Sequence, residues 1–126
     1  MFASAALPLA AATRTEFLDV LMKLAAALAA NDAYEFFRHI DKSLPGRGQL
    51  EGYIAALTAE ADITSSVEVT KVDGDTADAD WYMQVKNKAA AGPVERRRRV
   101  LKVRMSGEKV SSLDPIDFFA PMRVTG

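Results

Sequence analysis

The stretch Val67-Glu68-Val69-Thr70-Lys71-Val72-Asp73-Gly74-Asp75-Thr76-Ala77-Asp78-Ala79-Asp80-Trp81-Tyr82-Met83-Gln84-Val85-Lys86 decides the fold. Apolar residues recur at every second position, the period of a strand with one buried face. Val67 and Val69 belong to a first strand. Asp73-Gly74 signals a two-residue type I′ hairpin turn, whose central residues need positive φ. The second strand covers about Thr76 to Lys88. Ala77, Ala79, Trp81, Met83 and Val85 fall on one face, and Asp78, Asp80, Tyr82, Gln84 and Lys86 on the other.

Downstream the pattern repeats. Asn87 to Pro93 is a loose connection. A third strand, about Val94 to Met105, sets Leu101, Val103 and Met105 on one face and Arg96, Arg98, Lys102 and Arg104 on the other, with Val100 among them. Ser106-Gly107-Glu108 turns the chain into a last strand, about Lys109 to Asp114. Across the polar face, Asp78 and Asp80 are expected to pair with Arg96, Arg98 and Arg104. Such cross-strand pairs contribute roughly 0.2–1 kcal/mol each.

Upstream of Ser65 the period is 3.6. Thr13-Arg14-Thr15-Glu16 has capping-box spacing, and Phe17, Leu21, Leu24 and Leu28 follow on one helical face, widened by Leu18 and Ala25. Asn31-Asp32 stops this helix. Asp32, with Glu35 three residues on, caps a second helix carrying Tyr34, Phe37 and Ile40 near one face. Ser43-Leu44-Pro45-Gly46-Arg47-Gly48 is a loop. A third helix runs from about Gln49 to Glu60, with Leu50, Tyr53, Ile54 and Leu57 on one side. Gly52 lowers its propensity by about 1 kcal/mol and is read as a close approach of backbones. Three helices before four strands give an α+β fold, a curved antiparallel sheet of about four main strands packed on three N-terminal helices.

The 126 residues fit one domain, expected over residues 13–121, with an N-terminal arm at 1–12 and a tail at 122–126. The balance of 49% hydrophobic and 26% charged residues is that of an ordinary globular chain, and the formal charge of −1 supplies no field for nucleic acid or anionic lipid. Cysteine is absent, which removes disulfides, thiolate ligands and a thiol nucleophile. Met1 to Ala12 is apolar and ends Ala10-Ala11-Ala12, as at a signal-peptidase site, though no basic residue precedes it. Two readings stand: the remnant of an export signal, giving a periplasmic protein, or an arm that packs on a cytoplasmic domain. No apolar stretch reaches the ~18 residues of a membrane span.

The run from Thr13 to Pro121 resembles the nuclear transport factor 2-like superfamily, a cystatin-like cone of antiparallel sheet wrapped round a long N-terminal helix. The carriers are the first helix, Asn31-Asp32-Ala33-Tyr34-Glu35-Phe36-Phe37, the third helix, Ala79-Asp80-Trp81 in a long strand, and the closing Pro115-Ile116-Asp117-Phe118-Phe119-Ala120-Pro121. The nearest likeness is to small bacterial members without an assigned activity. The resemblance implies a pocket in the cone and a homodimer. It implies no reaction, because the superfamily includes isomerases, dehydratases, cyclases and hydrolases beside non-catalytic binding and dimerisation domains.

No catalytic set carries over. Isomerase chemistry in this fold uses a carboxylate base with a tyrosine and a protonated aspartate, but Asp78 and Asp80 lie out of phase with Trp81 and Met83. His39, at the end of the second helix, is read as a helix-terminal histidine bonded to nearby carbonyls, with a general base as the competing role. One histidine without clustered carboxylates is a poor metal site, so no metal or other cofactor is expected. Arg96-Arg97-Arg98-Arg99 is split two and two by strand geometry. Arg97 and Arg99 share the face of Leu101 and Val103, where they hold an anion at the cone mouth or snorkel to solvent.

The candidate pocket is therefore Tyr53, Trp81, Met83, Arg97, Arg99, Leu101 and Val103, against plain core as the competing reading. Phe118-Phe119 closes the narrow end of the cone or packs in a dimer. The first functional reading is a domain that binds a small apolar or amphipathic ligand. The alternatives are an acid–base enzyme on such a molecule and a dimerisation module. An open cavity with convergent acids, Tyr or His separates the enzyme. An open apolar cavity indicates binding, and a cone filled by Trp81 and Met83 indicates the association module.

Overall fold

The computed structural model describes residues 12–89 and 94–121. The expected arm and tail, apart from Ala12, and the end of the connection before Val94 lie outside the described residues. α1 (Arg14–Ala29) opens on the expected capping box. The Thr13 hydroxyl accepts from the Glu16 amide at 3.1 Å, and the Glu16 carboxylate accepts from the Thr13 amide at 2.8 Å. The helix buries Phe17, Val20, Leu21, Leu24, Ala25, Ala27 and Leu28. Asn31, at φ 56°, ends it, and its side-chain amide donates to the carbonyl of Ala61.

α2 (Ala33–Arg38) is capped by Asp32, as expected, but its buried face differs. Phe36 is fully buried, Phe37 partly, and Tyr34 is 80% exposed. Six residues are too few for periodicity to fix the phase of a helix. The chain then runs along the sheet edge, where Val110 donates to the carbonyl of His39 and accepts from the amide of Asp41. This parallel bridge of Ile40 to Val110 ties the helical layer to the last strand.

α3 (Arg47–Glu60) follows Gly46, whose φ of 78° is left-handed. A Cβ at Gly46 would stand 2.8 Å from Cδ1 of Ile116. The close approach expected at Gly52 is found instead at Gly46, since Gly52 is exposed and a Cβ there meets nothing within 4 Å.

β1 (Ala61–Asp73) begins directly after α3, earlier than the switch expected near Ser65. Ala61 and Ile63 are already buried while Asp62 and Thr64 are exposed, so period two starts there. β2 (Thr76–Asn87), β3 (Glu95–Ser106) and β4 (Lys109–Asp114) complete an antiparallel sheet in the order β1-β2-β3-β4. The hairpin loops are Gly74-Asp75 and Gly107-Glu108, each led by a glycine at positive φ. Asp75 lacks the positive φ that type I′ demands, so a glycine-first turn replaces the expected one.

Register shifts at Val69/Lys71 and Arg104/Met105 mark bulges, which bend strands. Ala77, Ala79, Trp81, Met83, Val85, Leu101, Val103 and Met105 are buried on the face turned to the helices, as the alternation requires. The chain closes in a 3-10 turn, Ile116–Phe119.

Two glycine substitutions, one at the residue before α3 and one within it, should move stability in opposite directions. Gly46→Ala forces a side chain into the left-handed region and against Ile116, and should lower unfolding free energy by about 1–2 kcal/mol. Gly52→Ala should raise it by about 0.5–1 kcal/mol. Urea denaturation midpoints of the two variants check both.

Candidate functional site

Four of the seven pocket candidates are core. Trp81, Met83, Leu101 and Val103 are fully buried, and the closing turn packs on Trp81. Phe119 meets Trp81 edge-on with centroids 5.2 Å apart, and meets Phe36 at 5.9 Å. Phe118 packs on Phe119 at 5.2 Å and on Trp81 at 6.4 Å. Such aromatic pairs contribute about 0.5–1.5 kcal/mol beyond the area they bury. The Phe118-Phe119 pair thus points inward, into the cone. Trp81 Nε1 donates to Ser65 Oγ at 2.6 Å, a partner the strand pattern left unidentified.

The other three candidates, Tyr53, Arg97 and Arg99, border one hollow of about 870 Å³ over the start of β3, beside Phe118 and Pro121. The strand phase is as expected, with Arg97 on the face of Leu101. Its guanidinium is not free to hold an anion, however. Nε and Nη2 donate to the Glu95 carboxylate at 3.0 and 3.2 Å, and Nη1 donates to the carbonyls of Phe118 and Ala120 at 2.8 and 2.6 Å. The Arg97 side chain is 12% exposed. The last carbonyls of a helical turn need donors, and Arg97 supplies them here. The expected anion site is therefore replaced by an internal clasp at Arg97, while Arg99 is exposed.

His39 stands at the C-cap of α2. Its ring Nε2 lies 3.0 Å from one oxygen of Glu35, one helical turn back, and Arg38 donates to the other oxygen at 2.8 Å. The partner is thus a carboxylate rather than the expected backbone carbonyls. The Arg38 hydrogen bond first, and that of His39 next, hold the Glu35 carboxyl below the usual carboxylate range. His39 borders a second hollow, of about 510 Å³, whose charges alternate among Glu16, Asp19, Lys23, Glu108 and Lys109. Among the described residues no three His, Cys, Asp or Glu side chains gather as a metal site would require.

The outer face of the sheet carries Val100, 55% exposed, between ion pairs. Asp80 takes both Nε and Nη2 of Arg98, at 3.1 and 2.8 Å. Asp78 pairs with Lys102, directly opposite in the register, at 2.6 Å. Arg104 reaches Asp75 instead, at 3.8 Å. Of the expected pairs, the one between Asp80 and Arg98 is present. The Arg98 hydrogen bonds hold the Asp80 carboxyl below its ordinary value.

No protein-family model matches the sequence, and no curated protein does. Solved structures share the fold. A protein with a ketosteroid isomerase-like fold from Catenulispora acidiphila, in complex with trimethylamine, is 15% identical at a TM-score of 0.62, covering 75% of this chain and 82% of that one. A candidate polyketide cyclase from Xanthomonas campestris is 10% identical at 0.62, covering 79% and 88%. An uncharacterised cystatin-fold protein from Novosphingobium aromaticivorans is 13% identical at 0.55, covering 76% and 93%. The chain therefore has the cone fold that its sequence resembles.

Two substitutions test this geometry. Ser65→Ala leaves the buried indole N–H of Trp81 without its partner and should cost about 1–3 kcal/mol, read by urea denaturation. Asp80 has a folded pKa below its unfolded one, so its ionised form stabilises the fold above the ordinary aspartate range. That contribution is lost as pH falls through the folded value. The stability difference between wild type and Asp80→Asn should therefore be present at pH 7 and shrink as the pH is lowered below about 4, measured by denaturation across pH.

Proposed function

We propose that this chain is a non-catalytic association domain with the nuclear transport factor 2-like fold, two copies of which pair through the outer face of the sheet. The supporting observation is the filled interior. Trp81, Met83 and Phe119 are fully buried, and Phe119 packs edge-on against Trp81. Chemistry is thereby displaced to the surface, where the outer sheet face offers Val100 and the partly buried Tyr82 framed by the Asp80–Arg98 and Asp78–Lys102 pairs. An apolar centre with a polar, charged rim is the anatomy of a protein interface. Light scattering at micromolar concentration should return twice the chain mass, and Val100→Asp should weaken the dimer at least tenfold. A monomer, or a Val100→Asp protein that pairs as the wild type does, overturns the reading.

A second reading, a small apolar or amphipathic ligand in the cone, is favoured by the trimethylamine held by the Catenulispora protein of the same fold. In this chain a hollow of about 870 Å³ lies beside Tyr53 and Phe118.

A further inference from the structure

The last described element is held in an unusual way. The closing turn lies between Pro115 and Pro121, after the final strand has ended. Its side chains go inward, with Phe119 fully buried and Phe118 nearly so, between Trp81 of the sheet and Phe36 of α2. Its backbone is held outward, at the mouth, by one group. Arg97 Nη1 bonds the carbonyls of both Phe118 and Ala120, while Glu95 fixes the same guanidinium from the other side. These bonds span 21 and 23 residues. They lie at the edge of the hollow that Tyr53, Arg99 and Phe118 line.

The floor beneath the two phenylalanines is the indole of Trp81, fully buried, with the fully buried Met83 two residues on along the same face of β2. It is apolar and would form the wall of a ring-sized site if the turn withdrew. Withdrawal breaks no strand ladder and no long helix. It breaks the Arg97 bonds, the aromatic contacts and the packing of Ile116 against Gly46.

We infer that the closing turn is a plug latched by Arg97 over a latent site for a small neutral aromatic molecule, whose ring takes the place of the Phe119 ring. The inference rests on the ligand reading above and adds to it the gate and the class of ligand. Neutrality follows from the floor, which carries no charge, and from Glu95, which already compensates Arg97 at the entrance. The apparent affinity of such a site is reduced by the fraction of molecules in which the plug is closed. Weakening the latch should therefore strengthen binding.

Trp81 is the only tryptophan in the chain, so its indole N–H gives one NMR signal and its emission one fluorophore. The experiment compares the full-length wild type, Arg97→Gln and Arg97→Lys, with benzamide as the probe. Lysine keeps the charge but loses the fork that reaches two carbonyls and a carboxylate together. Both variants should speed amide exchange at Phe118 and Ala120 by about tenfold or more and raise acrylamide quenching of Trp81, with far-UV circular dichroism unchanged. Benzamide should shift the Trp81 indole signal with at least tenfold higher affinity in the variants than in the wild type.

Unchanged exchange and quenching in Arg97→Lys, the milder variant, overturn the latch. Benzamide that shifts the indole equally in wild type and variants also overturns the latch, but leaves the ligand reading standing. Faster exchange without any benzamide effect overturns the site, and the ligand reading with it.

Discussion

The indole of Trp81 is where the layers of this protein meet. It belongs to β2, packs edge-on against Phe119 of the closing turn, and through Phe119 reaches Phe36 of α2. Its single polar atom is satisfied by Ser65 on β1. A buried aromatic with one N–H can be accommodated only if that N–H has a partner and the ring has close neighbours on its faces and edges. The sheet, the helices and the turn each supply one of these conditions, so the elements are coupled through one side chain.

Filling the cone in this way relocates what the fold can do. One solved structure of the same fold is in complex with trimethylamine, while in this chain the closing turn packs its phenylalanines against Trp81. The outer sheet face carries Val100 among ion pairs, and Arg97 bonds two carbonyls of the closing turn. An arginine on the helix-facing side of a strand must find acceptors, because an unpaired buried guanidinium is very costly. Its acceptors are the backbone of the segment that fills the cone.

Much of this was legible from residue order. The alternation from Ala77 to Val85 placed each residue of β2 on its observed face, and the span Lys109 to Asp114 of β4 matches the expected one. Capping by Thr13 and Asp32 was readable because a cap is a contact over three residues. The misreadings were of another kind. The spacing sets Tyr34, Phe37 and Ile40 near one face of α2, yet Phe36 is the residue it buries and Tyr34 is exposed, because six residues fit more than one helical phase. Gly52 was taken for a close approach that belongs to Gly46, because a missing side chain does not say which neighbour needs the room.

By itself, the order of residues determined the three helices, the antiparallel meander, the hairpin positions and the face on which each strand residue lies. All of these depend on periods of 2 and 3.6 and on turn residues, which act over a few positions. Only the tertiary structure decided that Trp81 and Met83 are covered, that Phe118 and Phe119 point into the cone, and that Arg97 is clasped rather than open to an anion. Those outcomes depend on atoms that meet across 16 to 83 residues of chain. Burial and bonding at that range are set by which surfaces the fold brings together, and no local pattern encodes it.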